Sequence, residues 1–429
     1  MSAEDKMNID ERCKYLRMMK RRYVETRRKD RGRLLDEMAA MTGLHRKSLI
    51  RLMNGSLARQ PRNQQRGRIY GPEVDDALRI IAESFDYICA ERLTPNLVWM
   101  AEHLATHGEL ETSVPLLQQL GRISASTVGR TLSRVRQDEF RLPRQGPRRA
   151  NQLRRDIPMT RIAWDEKRPG HFEVDLVHHS GPSTTGEFVC TVQMIDVTTG
   201  WSERVAVLGR SYVVMKDAFR CMLARLPFPV LEIHPDNGSE FFNHHLLRFW
   251  QNQVQRVSLS RSRPYHKNDN RFVEQKNNTL VRAYLGHARL DTVAHTRTLN
   301  QLYDKMWVYY NLFQPVMRLT EKMVIQSADQ SFQVKRRYDK ASTPFDRLCT
   351  TDAILPQHRE QLEALRHQTN PRQLRQDIYA LIDHLFSLPN AQPGVPEDIH
   401  QTLRWHADPD KRKGGLLPFS FNRTTIRDS

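Results

Sequence analysis

Two strand-like runs near the middle of the chain each carry a carboxylate. In residues 171–177 apolar side chains alternate with polar ones that include Asp175, which is the pattern of a half-buried strand. The short apolar run 230–233 precedes Asp236, so this carboxylate would lie at the carboxyl end of a buried strand, where open α/β sheets bind ligands. A helix starting near residue 270 would carry Glu274. Three acids on two strands and a helix could converge on a divalent metal.

The order of the predicted elements around these acids indicates a fold. Three strands come first, followed by helix, strand, helix, strand and helix, which is the order of a ribonuclease-H-like α/β core. The predicted strands are 171–178, 187–196, 202–208, 229–235 and 256–260, and the predicted helices are 211–226, 242–252 and 270–285. Further along, the sequence predicts helices over 292–311, 359–366 and 374–385, and short extended pieces over 332–340 and 345–349.

A chain of 429 residues is too long for one ordinary core. The sequence predicts a multidomain protein with N-terminal all-α helix-turn-helix units, a central α/β ribonuclease-H-like core and a mainly helical C-terminal segment. The predicted parts are helix-turn-helix domains at 1–60 and 61–135, a basic linker at 136–164, the core at 165–315 and an accessory segment at 316–429, which we expect to contact DNA or form oligomers.

The net charge of +18 points to a nucleic-acid partner. Residues 1–70 contain 19 basic and eight acidic residues, a net charge of +11, and residues 136–168 contain ten basic and five acidic residues. A merely solvated basic surface would be spread more evenly along the chain. We therefore expect the protein to bind double-stranded DNA.

The sequence has neither the long apolar run of a membrane-spanning helix nor the apolar core of a signal peptide. No apolar run approaches about 18 residues and the N-terminus has no signal-peptide core, so we expect no membrane partner and a cytoplasmic protein that is associated with the nucleoid of a bacterial host. The five cysteines are odd in number and far apart, which favours reduced thiols.

A helix-turn-helix pattern lies within residues 34–53. Small Ala39 stands four residues before Gly43, where the chain would turn, and apolar residues follow at helical spacing. This pattern would present four polar residues to a DNA groove: Arg46, Lys47, Ser48 and Arg51.

A second pattern of the same kind ends near residue 132, and its exposed residues would be Ser126, Thr127 and Arg130. Before it, Thr94 and Pro95 predict a helix start and Gly108 a helix stop. His103 and His107 have the spacing of helical metal ligands, but no cysteine pair follows them, so solvated helix positions are favoured over a zinc site.

The residues around the three acids resemble a known family. Asp175, the run Asp236-Asn-Gly-Ser-Glu-Phe241 and the run Lys267-Asn-Asp-Asn-Arg-Phe-Val-Glu274-Gln-Lys-Asn277 are similar to the integrase core of the DDE transposase and retroviral integrase superfamily, most of all to bacterial insertion-sequence transposases. The resemblance covers about residues 165–315. The acids are 61 and 38 residues apart, and the second separation is slightly longer than is usual in the family.

The resemblance implies that Asp175, Asp236 and Glu274 hold two Mg²⁺ or Mn²⁺ ions and are the catalytic residues. Oxygen ligands suit Mg²⁺, and paired ions suit an in-line displacement at phosphorus. Other acids of the core are alternatives, namely Glu173, Asp196, Glu240 and Asp269. Glu173 and Asp175 have the same strand parity, so the choice between them depends on the resemblance.

Basic and polar residues beside the acids are candidates for DNA contact. A loop before the Glu274 helix would hold substrate phosphates through Arg261, Arg263 and Lys267, with Tyr265 able to stack on a base. On the helix itself, Asn278 and Arg282 follow Glu274 by four and eight residues and would share its face. Related integrases often have Lys or Arg seven residues after the Glu, where this chain has Val281.

The resulting hypothesis is a DNA transposase that binds the ends of its insertion element, cleaves strands with metal ions and joins 3′-hydroxyls to target DNA. A pair of element ends requires coordinated cutting, so we expect a homo-oligomer, at least a dimer on DNA. The alternatives are a sequence-specific DNA-binding regulator with an inactive core and a ribonuclease-H-like nuclease without strand transfer.

Overall fold

The structure is a computed structural model. It describes residues 7, 9–55, 57, 70–135, 166–183, 185–235, 249, 254, 257–260, 271–326, 332–405 and 421. The chain divides into two compact units, Met1–Ile69 and Tyr70–Ser429.

The first unit contains three described helices, α1 (Ile9–Glu25), α2 (Arg31–Thr42) and α3 (Arg46–Asn54). Gly43 ends α2 in the left-handed conformation, with φ of 66° and its N–H bonded to the carbonyl of Ala39, and His45 caps α3 by accepting from the backbone of Lys47. The turn expected at Gly43 is therefore present. The unit has a core of its own: Leu16, Met19, Tyr23, Leu34, Leu35, Met38, Leu49 and Met53.

Short helices open the second unit. They are α4 (Pro72–Ser84), α5 (Ala90–Leu93), α6 (Leu97–Thr106), α7 (Val114–Arg122) and α8 (Ala125–Val135), with a 3-10 turn, Thr94–Asn96, before α6. Ser113 caps α7, and α7 and α8 are joined by a two-residue turn.

A mixed five-stranded sheet follows in the second unit, with the order β3-β2-β1-β4-β5. The strands are β1 (His171–His178), β2 (Val189–Asp196), β3 (Ser202–Leu208), β4 (Glu232–Pro235) and β5 (Ser258–Leu259). Strand β2 is antiparallel to both β1 and β3, whereas β4 runs parallel to β1 and β5 runs parallel to β4. The predicted bounds of β1 and β3 are confirmed, and the other three strands are shorter than expected.

Helices between and after the strands cover the sheet. Helix α9 (Tyr212–Arg225) packs on β3, as does α12 (Val293–Val308), which continues into a π-helical segment, Tyr309–Phe313. Between them, α10 (Arg271–Lys276), a second π-helical segment (Asn277–Arg282) and α11 (Ala283–Leu285) follow one another without a break. Most of the helix expected over 242–252 lies outside the described residues.

Residues after 316 form a hairpin and three helices. The strands β6 (Leu319–Gln326) and β7 (Phe332–Tyr338) pair antiparallel as a separate sheet, and α13 (Pro344–Cys349), α14 (Pro356–Gln368) and α15 (Pro371–Ser387) follow. The expectation of an extended piece over 345–349 is wrong. Thr343 and Asp346 form a capping box and Pro344 occupies the first turn, so this segment starts a helix.

Helices α4–α8, which the sequence predicts as part of a separate domain over 61–135, share a hydrophobic cluster with the sheet and with α15. Polar contacts reinforce this packing: the guanidinium of Arg372 on α15 pairs with Glu83 and Glu109, each at 2.9 Å. Asp86 accepts hydrogen bonds from the hydroxyls of Tyr284 and Tyr379, each at 2.9 Å. These helices therefore belong to the same unit as the sheet.

The segment after residue 398 is tied to the same core by buried charges. The guanidinium of Arg404 lies 2.6 Å from the carboxylate of Asp304, which also pairs with Arg225 at 2.8 Å. The backbone N–H groups of Arg404 and Trp405 donate to the carboxylate of Asp217. The C-terminal segment thus closes over helices α9 and α12.

No helix in the described part of the chain is both long enough and apolar enough to cross a bilayer.

Candidate functional site

Strand β1 holds Asp175 at the centre of the sheet. Its Cα partner on β2 is Gln193, and one residue earlier Val174 is the partner of Pro235, the last residue of β4. Asp175 is partly exposed, and one of its carboxylate oxygens accepts from the backbone N–H of Leu176 at 2.8 Å. The chain residue after Pro235 is Asp236, which lies outside the described residues.

Glu173, two residues before Asp175, has a different environment although it has the same strand parity. It is only 2% exposed, and one carboxylate oxygen accepts from the backbone N–H groups of Phe272 at 2.7 Å and Val273 at 2.9 Å. These N–H groups belong to the first turn of α10, where a helix has no internal acceptors for them and carries a partial positive charge. Glu173 therefore fixes the start of the helix that carries Glu274.

Asn277 forms a second link between this helix and β1. Its side-chain nitrogen donates to the carboxylate of Asp175 at 2.5 Å. Asn277 follows Glu274 by three residues, and residues three apart are neighbours on a helix surface. Glu274 is exposed and lies one turn from the residue that binds Asp175. Of the predicted acids, Asp175 is thus bonded to Asn277, which follows Glu274 by one helical turn.

The sequence analysis missed Asn277 and named its neighbour Asn278. Asn278 is exposed, whereas Asn277 is 8% exposed and faces the sheet. The apolar pattern of the helix could have shown this, because Val273, Asn277 and Leu280 follow one another at helical spacing and are all buried.

The side-chain amide of Asn277 has an oxygen atom without a partner. Among the described residues, Oδ1 of Asn277 is buried and has no hydrogen-bond partner, while the amide nitrogen donates to the Asp175 carboxylate. Hard divalent cations take carboxylate and amide oxygens as ligands. The described residues alone contain no group of three His, Cys, Asp or Glu side chains that could hold a metal ion. The oxygen donors of Asp175 and Asn277 have the chemistry that a hard cation takes.

Arg282 is used within the fold. The guanidinium of Arg282 donates to the carbonyls of His178 at 2.7 Å and Gly286 at 3.0 Å, and burial lowers its pKa. Arg282 thus fastens the helix to the end of β1, whereas Asn278 is exposed like Glu274. The common face of Glu274, Asn278 and Arg282 stays a prediction.

Two aromatic contacts also hold α10. The guanidinium of Arg318 lies 5.1 Å from the ring centroid of Phe272, and the ammonium of Lys276 lies 4.9 Å from that of Tyr310. Burial lowers the pKa values of Arg318 and Lys276. Both ends of this short helix are therefore supported by cations stacked on aromatic rings.

Asp196, an alternative acid in the sequence analysis, has a structural role. It is fully buried, and its carboxylate accepts from the backbone N–H groups of Gly170 and Thr199 and from the Thr199 hydroxyl, at 2.6–2.8 Å. Burial raises its pKa. These bonds close the turn between β2 and β3. The alternatives Glu240 and Asp269 lie outside the described residues.

The predicted DNA contacts of the first unit lie at the start of α3. Arg46, Lys47 and Arg51 are exposed, and Ser48 is partly exposed. Arg46 forms an ion pair with Asp36 of α2. The apolar residue Ile50 on the same helix is 38% exposed, whereas Leu49 is fully buried.

In the second unit, Ser126 and Arg130 of α8 are exposed and Thr127 is partly exposed. The Arg130 guanidinium donates to the Thr127 hydroxyl at 3.2 Å and to the Ser126 carbonyl at 3.3 Å. The four predicted contacts in the loop before α10, Arg261, Arg263, Tyr265 and Lys267, lie outside the described residues.

His103 and His107 are not simply solvated helix positions. The imidazole of His103 lies 2.9 Å from the carbonyl of Thr369, and that of His107 lies 3.1 Å from the carbonyl of His367. Both carbonyls are at the carboxyl end of α14, where a helix has unsatisfied acceptors. The two histidines dock α6 on α14.

No family model matches the chain. A relative in Sinorhizobium fredii (strain NBRC 101917 / NGR234), named "Uncharacterized protein y4rM", is 37% identical over 331 residues, which are 76% of this chain and 91% of the relative.

Solved structures with similarity to this chain include three retroviral integrases. The catalytic core domain of BIV integrase covers 25% of this chain and 62% of its own, with a TM-score of 0.20 and 15% identity. A simian T-cell lymphotropic virus intasome in complex with the PP2A regulatory subunit B56 gamma covers 42% of this chain and 58% of its own, with a TM-score of 0.24 and 15% identity. The HTLV-2 integrase catalytic core domain, in a dimeric form with magnesium, covers 34% of this chain and 90% of its own, with a TM-score of 0.25 and 17% identity. The chain thus spans about 60% of the first two.

Proposed function

The chain belongs to the family of the Sinorhizobium fredii protein y4rM, and from its own site we propose that it is a DNA transposase of the DDE type. It would bind the ends of an insertion element, cleave DNA strands and join the resulting 3′-hydroxyls to target DNA. Asp175, Asp236 and Glu274 are the proposed catalytic acids.

The parallel pairing of β1 with β4 is the main observation that supports this proposal. The two strands are parallel neighbours, and Val174 and Pro235 are Cα partners. In the sequence, Val174 is followed by Asp175 and Pro235 is followed by Asp236. The carboxyl end of a parallel strand pair is where open α/β sheets place ligands. Asn277 bonds to the Asp175 carboxylate and follows Glu274 by three residues, which supports Glu274 as the third acid.

The three acids would hold divalent ions, for which Mg²⁺ or Mn²⁺ is the proposed choice. Such ions, when bound, would activate the attacking oxygen and stabilise the leaving oxygen of an in-line phosphoryl transfer. The chain itself supplies the positions: Glu173 holds the start of α10, and Asn277 orients the Asp175 carboxylate. Both are buried, so these positions are set before substrate binds.

DNA binding is proposed for the first unit and for α8. Residues 1–70 carry a net charge of +11, and α3 exposes Arg46, Lys47 and Arg51 after a glycine turn. Phosphate contacts of this type give affinity that falls with salt, and groove contacts from a second helix would add sequence preference. At least two protomers are proposed on DNA, because two element ends must be cut and joined together.

Strand joining by the purified full chain tests the proposal. Linear duplexes cut from the DNA on either side of the gene serve as candidate ends, with a supercoiled plasmid as target and MgCl₂ or MnCl₂ in the buffer. We expect junctions of a 3′ end with plasmid DNA, read by sequencing. Specific binding without any cleavage would instead indicate a regulator, and cleavage without joining would indicate a nuclease.

A further inference from the structure

A basic run in the second unit takes no part in the site described above. Residues 335–340 read Lys-Arg-Arg-Tyr-Asp-Lys and include the end of β7. Arg336, Arg337 and Lys340 are exposed, and Tyr338 is 49% exposed. Solvated cations are common on protein surfaces, but Arg, Lys and Tyr side chains exposed together are also the groups that contact the phosphates and sugars of duplex DNA.

The base of the β6–β7 ribbon is firmly anchored. Asp339 accepts from the backbone N–H of Arg318 at 2.7 Å and from the guanidinium of Arg347 at 2.6 Å. The same guanidinium donates to the carbonyl of Val316 at 2.8 Å. Asp339 is therefore neutralised within the base. Glu321 is the strand partner of Arg337, so the exposed cations Arg336 and Lys340 carry the positive charge of this run.

The anchor also places the ribbon beside the candidate active site. Arg318, which precedes β6, stacks on Phe272 in the first turn of α10 and donates to the carbonyl of Asp196. Helix α10 carries Glu274, so the base of the ribbon lies beside the helix of that proposed catalytic acid. Strands of seven and eight residues would extend roughly 25 Å from this point.

The sequence of the ribbon argues against pairing with a second copy. Arg336 and Arg337 are exposed on β7 and Lys340 just after it, and charged residues on an open strand discourage edge-to-edge association. An anionic partner is favoured instead, because its phosphates neutralise these cations.

We propose that the β6–β7 ribbon docks on the duplex DNA that enters the candidate active site, with Arg336 and Lys340 at phosphates and Tyr338 against the nucleotides. A two-stranded ribbon fits the major groove of B-form DNA. This inference extends the proposed function, because it assigns a substrate contact to a segment after the catalytic core.

Salt-dependent binding of the full chain tests the ribbon. The probe is a fluorescein-labelled 30-base-pair duplex of arbitrary sequence, read by fluorescence anisotropy between 50 and 300 mM NaCl. The double variant Arg336→Ala/Lys340→Ala should bind at least about tenfold more weakly at 0.1 M salt, and its log–log salt slope should fall by about 1.8. The matched control, Arg79→Ala/Arg359→Ala, removes two exposed cations elsewhere in the unit and should change neither value.

A crosslink locates the contact. The photoreactive residue p-benzoylphenylalanine replaces Tyr338 in one protein and the exposed Phe386 of α15 in another. Crosslinking of the duplex from position 338 but not from 386 supports the proposal. If the double variant keeps the wild-type slope, or if position 338 crosslinks a second copy of the chain or nothing while DNA is bound, the ribbon proposal is wrong. If the wild type binds no duplex at all, the proposed function fails together with it.

Discussion

The basic unit of residues 9–55 differs in organisation from the acidic surface, which is formed by Glu173 and Asp175 on β1 and Glu274 on α10. The cations of α3 are exposed on a core that is complete within about 45 residues. The acids of β1 are held by residues that are distant from them in the sequence: Glu173 binds Phe272 and Val273, and Asp175 binds Asn277. A binding surface needs only exposed charge, whereas a catalytic surface needs carboxylates held at fixed positions. The first should therefore tolerate change that the second does not.

The largest expected effect is a loss of DNA joining without a change in DNA binding. Asp175→Asn and Glu274→Gln keep the side-chain size but remove a negative charge that would hold a divalent ion. Joining should fall by more than roughly 10²-fold to 10³-fold, which is the loss seen when a single preorganised donor is removed. Binding of duplex DNA should not change. Joining is measured in single-turnover reactions with Mg²⁺ and binding by anisotropy.

The matched controls are Asp383→Asn on α15 and Glu360→Gln on α14, which are exposed acids of the same unit. Both should join DNA like the wild type. Asp196→Asn is unsuitable as a control, because its buried carboxylate accepts two hydrogen bonds from Thr199 in the turn and one from Gly170 before β1. A near wild-type joining rate in Asp175→Asn or Glu274→Gln would remove that residue from the catalytic set.

Glu173 tests whether the acidic surface depends on distant contacts. Glu173→Ala leaves two N–H groups of α10 without their acceptor and should lower the free energy of unfolding by about 3 kcal/mol, with loss of joining. Glu173→Gln keeps an acceptor oxygen and should restore most of the stability and joining. Chemical denaturation and single-turnover joining measure the two effects. If Glu173→Gln folds normally but joins no DNA, then Glu173 itself holds the metal, and its role as a helix anchor is secondary.

Acid should weaken the sheet unit through His179. This side chain at the end of β1 is buried and bonds to the Thr191 hydroxyl at 2.8 Å, and burial lowers its pKa to about 3. The neutral form is the one that fits the fold, so stability is complete above the unfolded pKa of about 6.5 and is lost as pH falls from there towards 3. By pH 5 the loss should reach about 2 kcal/mol, from about 1.4 kcal/mol per pH unit.

Thermal melting of the wild type at pH 7 and pH 5 measures this loss. His179→Gln, which cannot take up a proton, should show a smaller decrease in Tm between the two pH values. His45→Gln, an exposed position of the basic unit, should behave like the wild type. An equal decrease for His179→Gln and the wild type would mean that other groups cause the acid sensitivity.

The smallest effect is expected in the basic unit. Arg46→Ala/Arg51→Ala removes two exposed cations from α3 and should weaken duplex binding about tenfold at 0.1 M salt, with a salt slope smaller by about 1.8. Joining of DNA at saturating protein should be unchanged, since the acids are untouched. Unaltered affinity and slope would show that α3 does not contact the phosphate backbone.

The sequence by itself predicted several of the secondary-structure elements. Alternation of apolar residues predicted β1, the predicted bounds of β3 agree with the structure, Gly43 predicted the turn between α2 and α3, and the charge of residues 1–70 indicated a binding surface. These features depend on neighbours along the chain or on composition, so no tertiary contact is needed to predict them. The Asp236 and loop predictions lie outside the described residues and stay predictions.

Only the tertiary structure distinguished between residues that occupy equivalent positions in the sequence pattern. Glu173 and Asp175 share a strand face, and their roles separate because the start of α10 lies against one and Asn277 against the other. Arg282 is tied to the end of β1 because its guanidinium reaches the carbonyl of His178. Helices α4–α8 joined the sheet unit because their apolar residues share its core. Each outcome depends on contacts between residues that are about 100 or more positions apart, which a local sequence pattern does not contain.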